Sequence, residues 1–189
     1  MEATTLLTIY AESTPNPATM KFVLNKMLLP DGMSLDFPDA AATSEAPLAS
    51  GLFKFSGVTG VFIASNFVTV TKAPDLDWSD LIPIFKTFIK EFIASGEPIV
   101  LAKHEAGILA EGSEIDEKIK QLLEEYIRPA VEEDGGAISF KSFDKGVVTV
   151  TLQGSCSGCP SSTLTLKAGI ENLLKRMLPE VTEVVSEAL

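Results

Sequence analysis

The chain has 189 residues, enough for one large domain or two small ones. With 46% hydrophobic and 22% charged residues it has the composition of an ordinary globular protein, and no apolar run reaches the roughly 18 residues that a membrane span needs. Its net charge of −11 argues against nucleic acid and anionic membrane as partners, because both are recognised through basic patches.

The N-terminal stretch "MEATTLLTIY" is acidic at its start and lacks the basic region of a secretory signal. The expected compartment is the cytoplasm, with a processed organellar protein as the alternative. Two apolar runs then flank Thr14-Pro15-Asn16-Pro17, whose prolines favour a turn or open loop. A short helix is expected around Pro47–Leu52. Strands follow near Val61–Ser65 and Phe67–Thr71, joined tightly at Asn66. A longer helix starts at Asp77 as N-cap and stops at Gly96. Its Ile84, Phe85, Phe88, Ile89, Phe92 and Ile93 recur at intervals of three and four and predict one broad apolar face. Pro83 predicts an irregular first turn.

Gly107 and Gly112, among small and acidic residues, mark a boundary. The domains are read as 1–103 and 113–189, joined by a linker over 104–112. In the second domain Ser113 and Asp116 form a candidate N-terminal cap. Ile115, Ile119, Leu122, Leu123, Tyr126 and Ile127 predict a helical stripe that Pro129 should kink or end, with Gly135 or Gly136 closing it. Two strands joined at Asp144-Lys145-Gly146 read as a hairpin. An amphipathic helix then runs to Pro179, and the tail supplies a last short strand. The fold class is α+β: two small α/β-sandwich-type domains joined by a short linker, the second in the order α-β-β-α-β.

The only two cysteines, Cys156 and Cys159, lie in "GSCSGCPSS", the loop from the second strand to the helix of that domain. A helix start leaves N–H groups unpaired and carries the positive end of the dipole, and both favour a thiolate. Gly154 and Gly158 allow a tight turn and close approach of a bulky ligand, and Pro160 suits a first helical turn. The pair therefore reads as placed for reactivity rather than for filling a core.

Four roles compete for it. Two buried small residues in a turn form the plainest, but Gly and Ser on every side make a poor core. A thiol–disulfide oxidoreductase also carries such a pair between strand and helix, yet its fold needs further strands that the remaining residues do not supply. Structural zinc needs four ligands, and the lone His104 beside Glu105 reads as an exposed linker residue rather than as one of them. Two copies related by a two-fold axis would bring two thiolates each and complete a Cys₄ shell, for an iron–sulfur cluster or for zinc.

The run "VEEDGGAISF…GVVTVTLQGSCSGCPSSTLTLKAGIENLLK" resembles the C-terminal domain of NifU, as found in Nfu-type iron–sulfur scaffold and carrier proteins. In the first domain, "TPNPATMKF", "PLASGLFKFSGVTGVF", "FVTVTK" and the "DW" before the helix resemble the Nfu N-terminal domain. The resemblance implies a non-enzymatic role. Cys156 and Cys159 of two protomers would together hold a [4Fe-4S] cluster and pass it to apo-proteins. It further implies a homodimer when the cluster is bound, with apo iron–sulfur recipients and upstream assembly proteins as partners. It assigns no chemistry to the first domain.

Overall fold

A computed structural model describes residues 6–101, 113–157 and 160–188, the last set without the side chains of 160–163 and 188. The chain divides into two compact units, Met1–Ala106 and Gly107–Leu189.

The first unit is built on β1 (Ile9–Ser13), β2 (Thr19–Leu24), β3 (Ser34–Phe37), β4 (Val58–Ala64) and β5 (Phe67–Lys72), with α1 (Pro47–Phe53) and α2 (Trp78–Ser95). The strands form one antiparallel sheet in the order β1-β2-β5-β4-β3. Alternation along the strands sends Phe22, Leu24, Ile63, Val68 and Val70 into one core with Leu48 and Leu52 of α1 and Phe85 and Ile89 of α2. The Thr14–Pro17 stretch is the expected turn: Ala18 N donates to Asn16 Oδ1 at 3.0 Å, and Trp78 Nε1 donates to the Pro17 carbonyl at 3.0 Å.

On α2, Asp77 accepts from Ser79 N at 2.8 Å and Gly96 closes the helix at φ 77°. The irregular first turn expected at Pro83 is not observed. The helix is continuous from Trp78, since a proline near the start removes one hydrogen bond without disturbing the turns beyond it. The apolar face is narrower than expected: Phe85, Ile89 and Ile93 are buried, Phe88 and Phe92 pack at its border, and Ile84 is exposed.

The second unit runs α3 (Glu114–Leu122), one π-helical turn (Leu123–Ile127), α4 (Arg128–Glu133), β6 (Gly136–Asp144), β7 (Val147–Gly154), α5 (Pro160–Met177) and β8 (Glu183–Ala188). The hairpin β6–β7 is antiparallel, and β8 returns parallel to β7 after the α5 crossover. Val148, Val150 and Val184 of the sheet meet Ile119 and Leu123 of the first helical segment and Ile170 and Leu174 of α5.

The cap at Ser113 is a reciprocal box, with Ser113 N donating to Asp116 Oδ2 at 2.8 Å and Asp116 N to Ser113 Oγ at 3.3 Å. Pro129 does not end the helix. The chain widens into the π turn just before it and continues for one more turn as α4. The wider turn also rotates Tyr126 away from the predicted stripe, leaving it exposed. Lys145 at φ 48° and Gly146 at φ 87° make the two-residue hairpin turn expected there.

Candidate metal centre at the turn from β7 to α5

Strand β7 ends at Gly154, whose φ of 65° turns the backbone sharply. Ser157 then donates both its backbone N–H and its hydroxyl to the Gly154 carbonyl, each at 3.1 Å. The turn is anchored to the segment between α4 and β6. Ser155 N donates to the Gly135 carbonyl at 3.3 Å, and Ser155 Oγ donates to the Asp134 carbonyl. Gly135 presents its carbonyl from a φ of 81°, a conformation costly to any residue with a Cβ.

These bonds fix where Cys156 goes. Its side chain enters an apolar pocket with Val131 of α4 and Leu152 of β7, bordered by Ile127, Ile138 and Leu166, and the residue is 4% exposed. Gly136 forms the floor: a Cβ there would meet the Cys156 Sγ at 2.8 Å. The sequence suggests a pair set out for reaction rather than for packing, yet in this conformation Cys156 packs. Cys159 and His104 lie outside the described residues. Among the described residues, no group of three or more His, Cys, Asp or Glu side chains is placed to hold a metal ion.

The surroundings carry little negative charge on the helix side. The first turn of α5 has no acidic residue, and Lys175 and Arg176 sit in its last turn. The acids on the other side are partly committed to structure, since Arg128 Nε donates to Glu132 Oε1 at 2.8 Å and the same guanidinium pairs with Glu124. Farther along α5, Glu171 accepts from Lys175 Nζ at 2.6 Å and from Val184 N at 3.1 Å, tying the helix to β8. The Lys175 contact, followed by the Val184 N–H, holds its carboxyl below the ordinary value of 4.5.

Sequence reasoning missed the seat of this turn. Asp134-Gly135-Gly136 reads locally as a helix stop, and nothing in it announces that its carbonyls receive Ser155 some twenty residues on. The two consecutive glycines were the available signal.

Residues 9–96 match the family model for the Nfu/NifU scaffold protein N-terminal domain, and residues 119–185 match that for the NifU-like domain. The chain is 45% identical over 181 residues to the human mitochondrial NFU1 iron-sulfur cluster scaffold homolog, covering 93% of this chain and 70% of the relative. It belongs to the Nfu family of iron–sulfur cluster scaffolds. This Nfu protein is also 42% identical over 186 residues to the mitochondrial NifU-like protein 4 of Arabidopsis thaliana, covering 95% of this chain and 65% of that one. A Drosophila willistoni NFU1 homolog is covered over 62% of its length. A solved NifU-like protein from Saccharomyces cerevisiae aligns with 53% of the chain and 89% of its own, at 24% identity and a TM-score of 0.47. The family is one of non-catalytic scaffolds. The relatives named as mitochondrial lend no support to the expected cytoplasmic placement. No helix among the described residues is long and apolar enough to cross a membrane.

Proposed function

We propose that this Nfu protein carries a [4Fe-4S] cluster between two protomers, each contributing Cys156 and Cys159, and delivers it to apo iron–sulfur proteins. The observation that supports this most is the placement of Cys156 in a glycine-framed turn from strand to helix, in a chain of a scaffold family. The sequence holds two cysteines, half of a Cys₄ shell, so a second copy is the simplest source of the remaining ligands.

In this reading Cys156 has to leave the Val131–Leu152 pocket to reach a cluster lying between chains. The helix start at Pro160 then favours the thiolate over the thiol. With two ligands per chain, an acceptor's thiolate can replace them one at a time, so the cluster is never left without a shell. Residues 113–189 bear the cluster, 104–112 link, and 1–103 serve partner recognition or regulation. Upstream assembly proteins supply the cluster, and cytoplasmic placement stands as a proposal that imaging of the full chain tests.

Anaerobic reconstitution with ferrous iron and sulfide tests the reading. About four irons per dimer, a cubane-type Mössbauer spectrum and a shift from monomer to dimer mass are expected. Cys156→Ser and Cys159→Ser should each lose the stable cluster and keep the fold. Stoichiometric cluster in either variant would sink the ligand assignment. A colourless protein that binds zinc, or that cycles a Cys156–Cys159 disulfide, would move the assignment to those chemistries.

A further inference from the structure

Cys156 is drawn inwards by three elements that its own turn does not contain. Val131 of α4 and Leu152 of β7 pack against it, and the bare backbone of Gly136 in β6 leaves the space that its sulfur fills. Val131 is itself fully buried, so the lining is part of the folded unit and not a surface groove. The neighbouring Ser155 is committed to the same arrangement. Its N–H and hydroxyl bond to the Gly135 and Asp134 carbonyls, and its Oγ lies 4.0 Å from the Cys156 Sγ.

Burial of this kind is ordinary for a structural cysteine, which packs as a small hydrophobe. It is not ordinary for one that has to offer its sulfur to iron. A cysteine places its sulfur through a single side-chain torsion. The Cys156 sulfur is therefore either in the pocket or on iron, and the two positions exclude each other.

We infer that Val131, Gly136 and Leu152 are positioning residues: their pocket competes with the cluster for the Cys156 thiol and so sets how readily the cluster is given up. The inference rests on the reading above, in which Cys156 is a ligand. Binding through a group that is only partly available is weakened by the fraction of molecules in which it is available. A pocket that favours the inward thiol by about tenfold thus weakens retention by about tenfold for each thiol that must turn out. During transfer, the bond from iron to Cys156 Sγ breaks as a bond from iron to the recipient's thiolate forms, with no change of oxidation state. The recipient's thiol gives up its proton, and the freed Cys156 sulfur takes one from water as it re-enters a lining that cannot solvate a thiolate. Re-entry withdraws the displaced ligand, which favours delivery over recapture.

Gly136→Ala and Val131→Ile test this in the full chain, the first by crowding the sulfur directly and the second by adding one methyl group to the lining. Both overpack a buried site and should lower the stability of the cluster-free protein. Each is reconstituted with ferrous iron and sulfide, and the concentration of a ferrous chelator that removes half of the cluster is measured by absorbance. Both variants should need about three- to tenfold more chelator than the wild type, because the thiol is no longer held back. A purely structural role predicts the opposite sign, a less stable protein that yields its cluster at the same or a lower chelator concentration. That result overturns the inference and leaves the ligand assignment standing. Should Gly136→Ala fail to fold, Val131→Ile decides alone. Normal loading of Cys156→Ser removes the ligand assignment, and the inference with it.

Discussion

A methyl group on Gly136 would stand 2.8 Å from the Cys156 sulfur and 2.5 Å from the Gln153 carbonyl oxygen. The first residue of β6 and the thiol in the turn from β7 to α5 therefore compete for one volume, and the absence of a side chain at 136 lets the thiol have it. Neither obstacle gives way easily, since Gln153 O belongs to the paired backbone of β7 and Cys156 is hemmed by Val131 and Leu152.

Gly136→Ala should displace Cys156 from its pocket and destabilise the second unit by about 1–3 kcal/mol, the usual range for overpacking. Denaturant unfolding of the full chain reads the stability. Mass-resolved alkylation reads the thiol, and Cys156 should be modified faster than in the wild type. Unchanged stability and unchanged alkylation would mean that the end of β6 shifts aside and that Gly136 does not set the position of the thiol.

Ser155→Ala attacks the same turn from the other side. Ser155 is 2% exposed and its hydroxyl donates to the Asp134 carbonyl. Removing it takes away a buried donor, at a net loss of about 1 kcal/mol. The Ser155 N–H to Gly135 bond is retained, so the turn loosens without coming free. The expected result is a smaller fall in the unfolding midpoint than for Gly136→Ala, with Cys156 alkylation again accelerated. A larger fall than for Gly136→Ala would put the hydroxyl, not the glycine, at the centre of the turn's stability.

What the sequence revealed depended on how local the cause was. The Ser113–Asp116 box, the Lys145–Gly146 hairpin turn and the buried stripe of α2 each arise from residues within a few positions of one another, and all three were legible. The π turn was not, because the spacing of the apolar residues up to Ile127 fits an ordinary α-helix and only Pro129, just beyond it, hints at a departure. The location of the thiol turn was legible from glycine and proline spacing. The burial of Cys156 was hidden because Val131 and Gly136 reach it only through the pairing of β6 with β7.

Glu171 makes part of the second unit's stability depend on pH. Its carboxylate accepts from Lys175 and from Val184 N, and its folded pKa lies below the ordinary 4.5. A depressed carboxyl contributes stability above its unfolded pKa and loses that contribution as pH falls through the folded value. Glu171→Gln should therefore lower the urea midpoint at pH 7, and the gap to the wild type should close as the pH is taken below 4.5. A gap that persists unchanged in acid would show that the side chain acts through packing rather than through its charge.

Gly51 sets two effects of known size against each other. Alanine in place of glycine inside α1 favours the helix by about 1 kcal/mol. The new methyl group, however, would stand 2.3 Å from Phe88 Cζ, with two further ring carbons at 3.2 and 3.3 Å. That ring is held edge-on by Phe55 at a centroid distance of 5.2 Å and tilted against Phe92 at 6.2 Å, so it cannot withdraw without breaking an aromatic contact. Overpacking of this kind costs about 1–3 kcal/mol and should outweigh the helical gain. Gly51→Ala is thus expected to lower the stability of the first unit. Phe88→Leu in the same chain should recover part of the loss, giving a coupling of at least about 0.5 kcal/mol in a double-mutant cycle. Iron loading of the full chain should stay at the wild-type level, because neither residue belongs to the unit that carries Cys156. A net rise in stability on Gly51→Ala would instead mean that Phe88 swings clear and that helix propensity governs this contact.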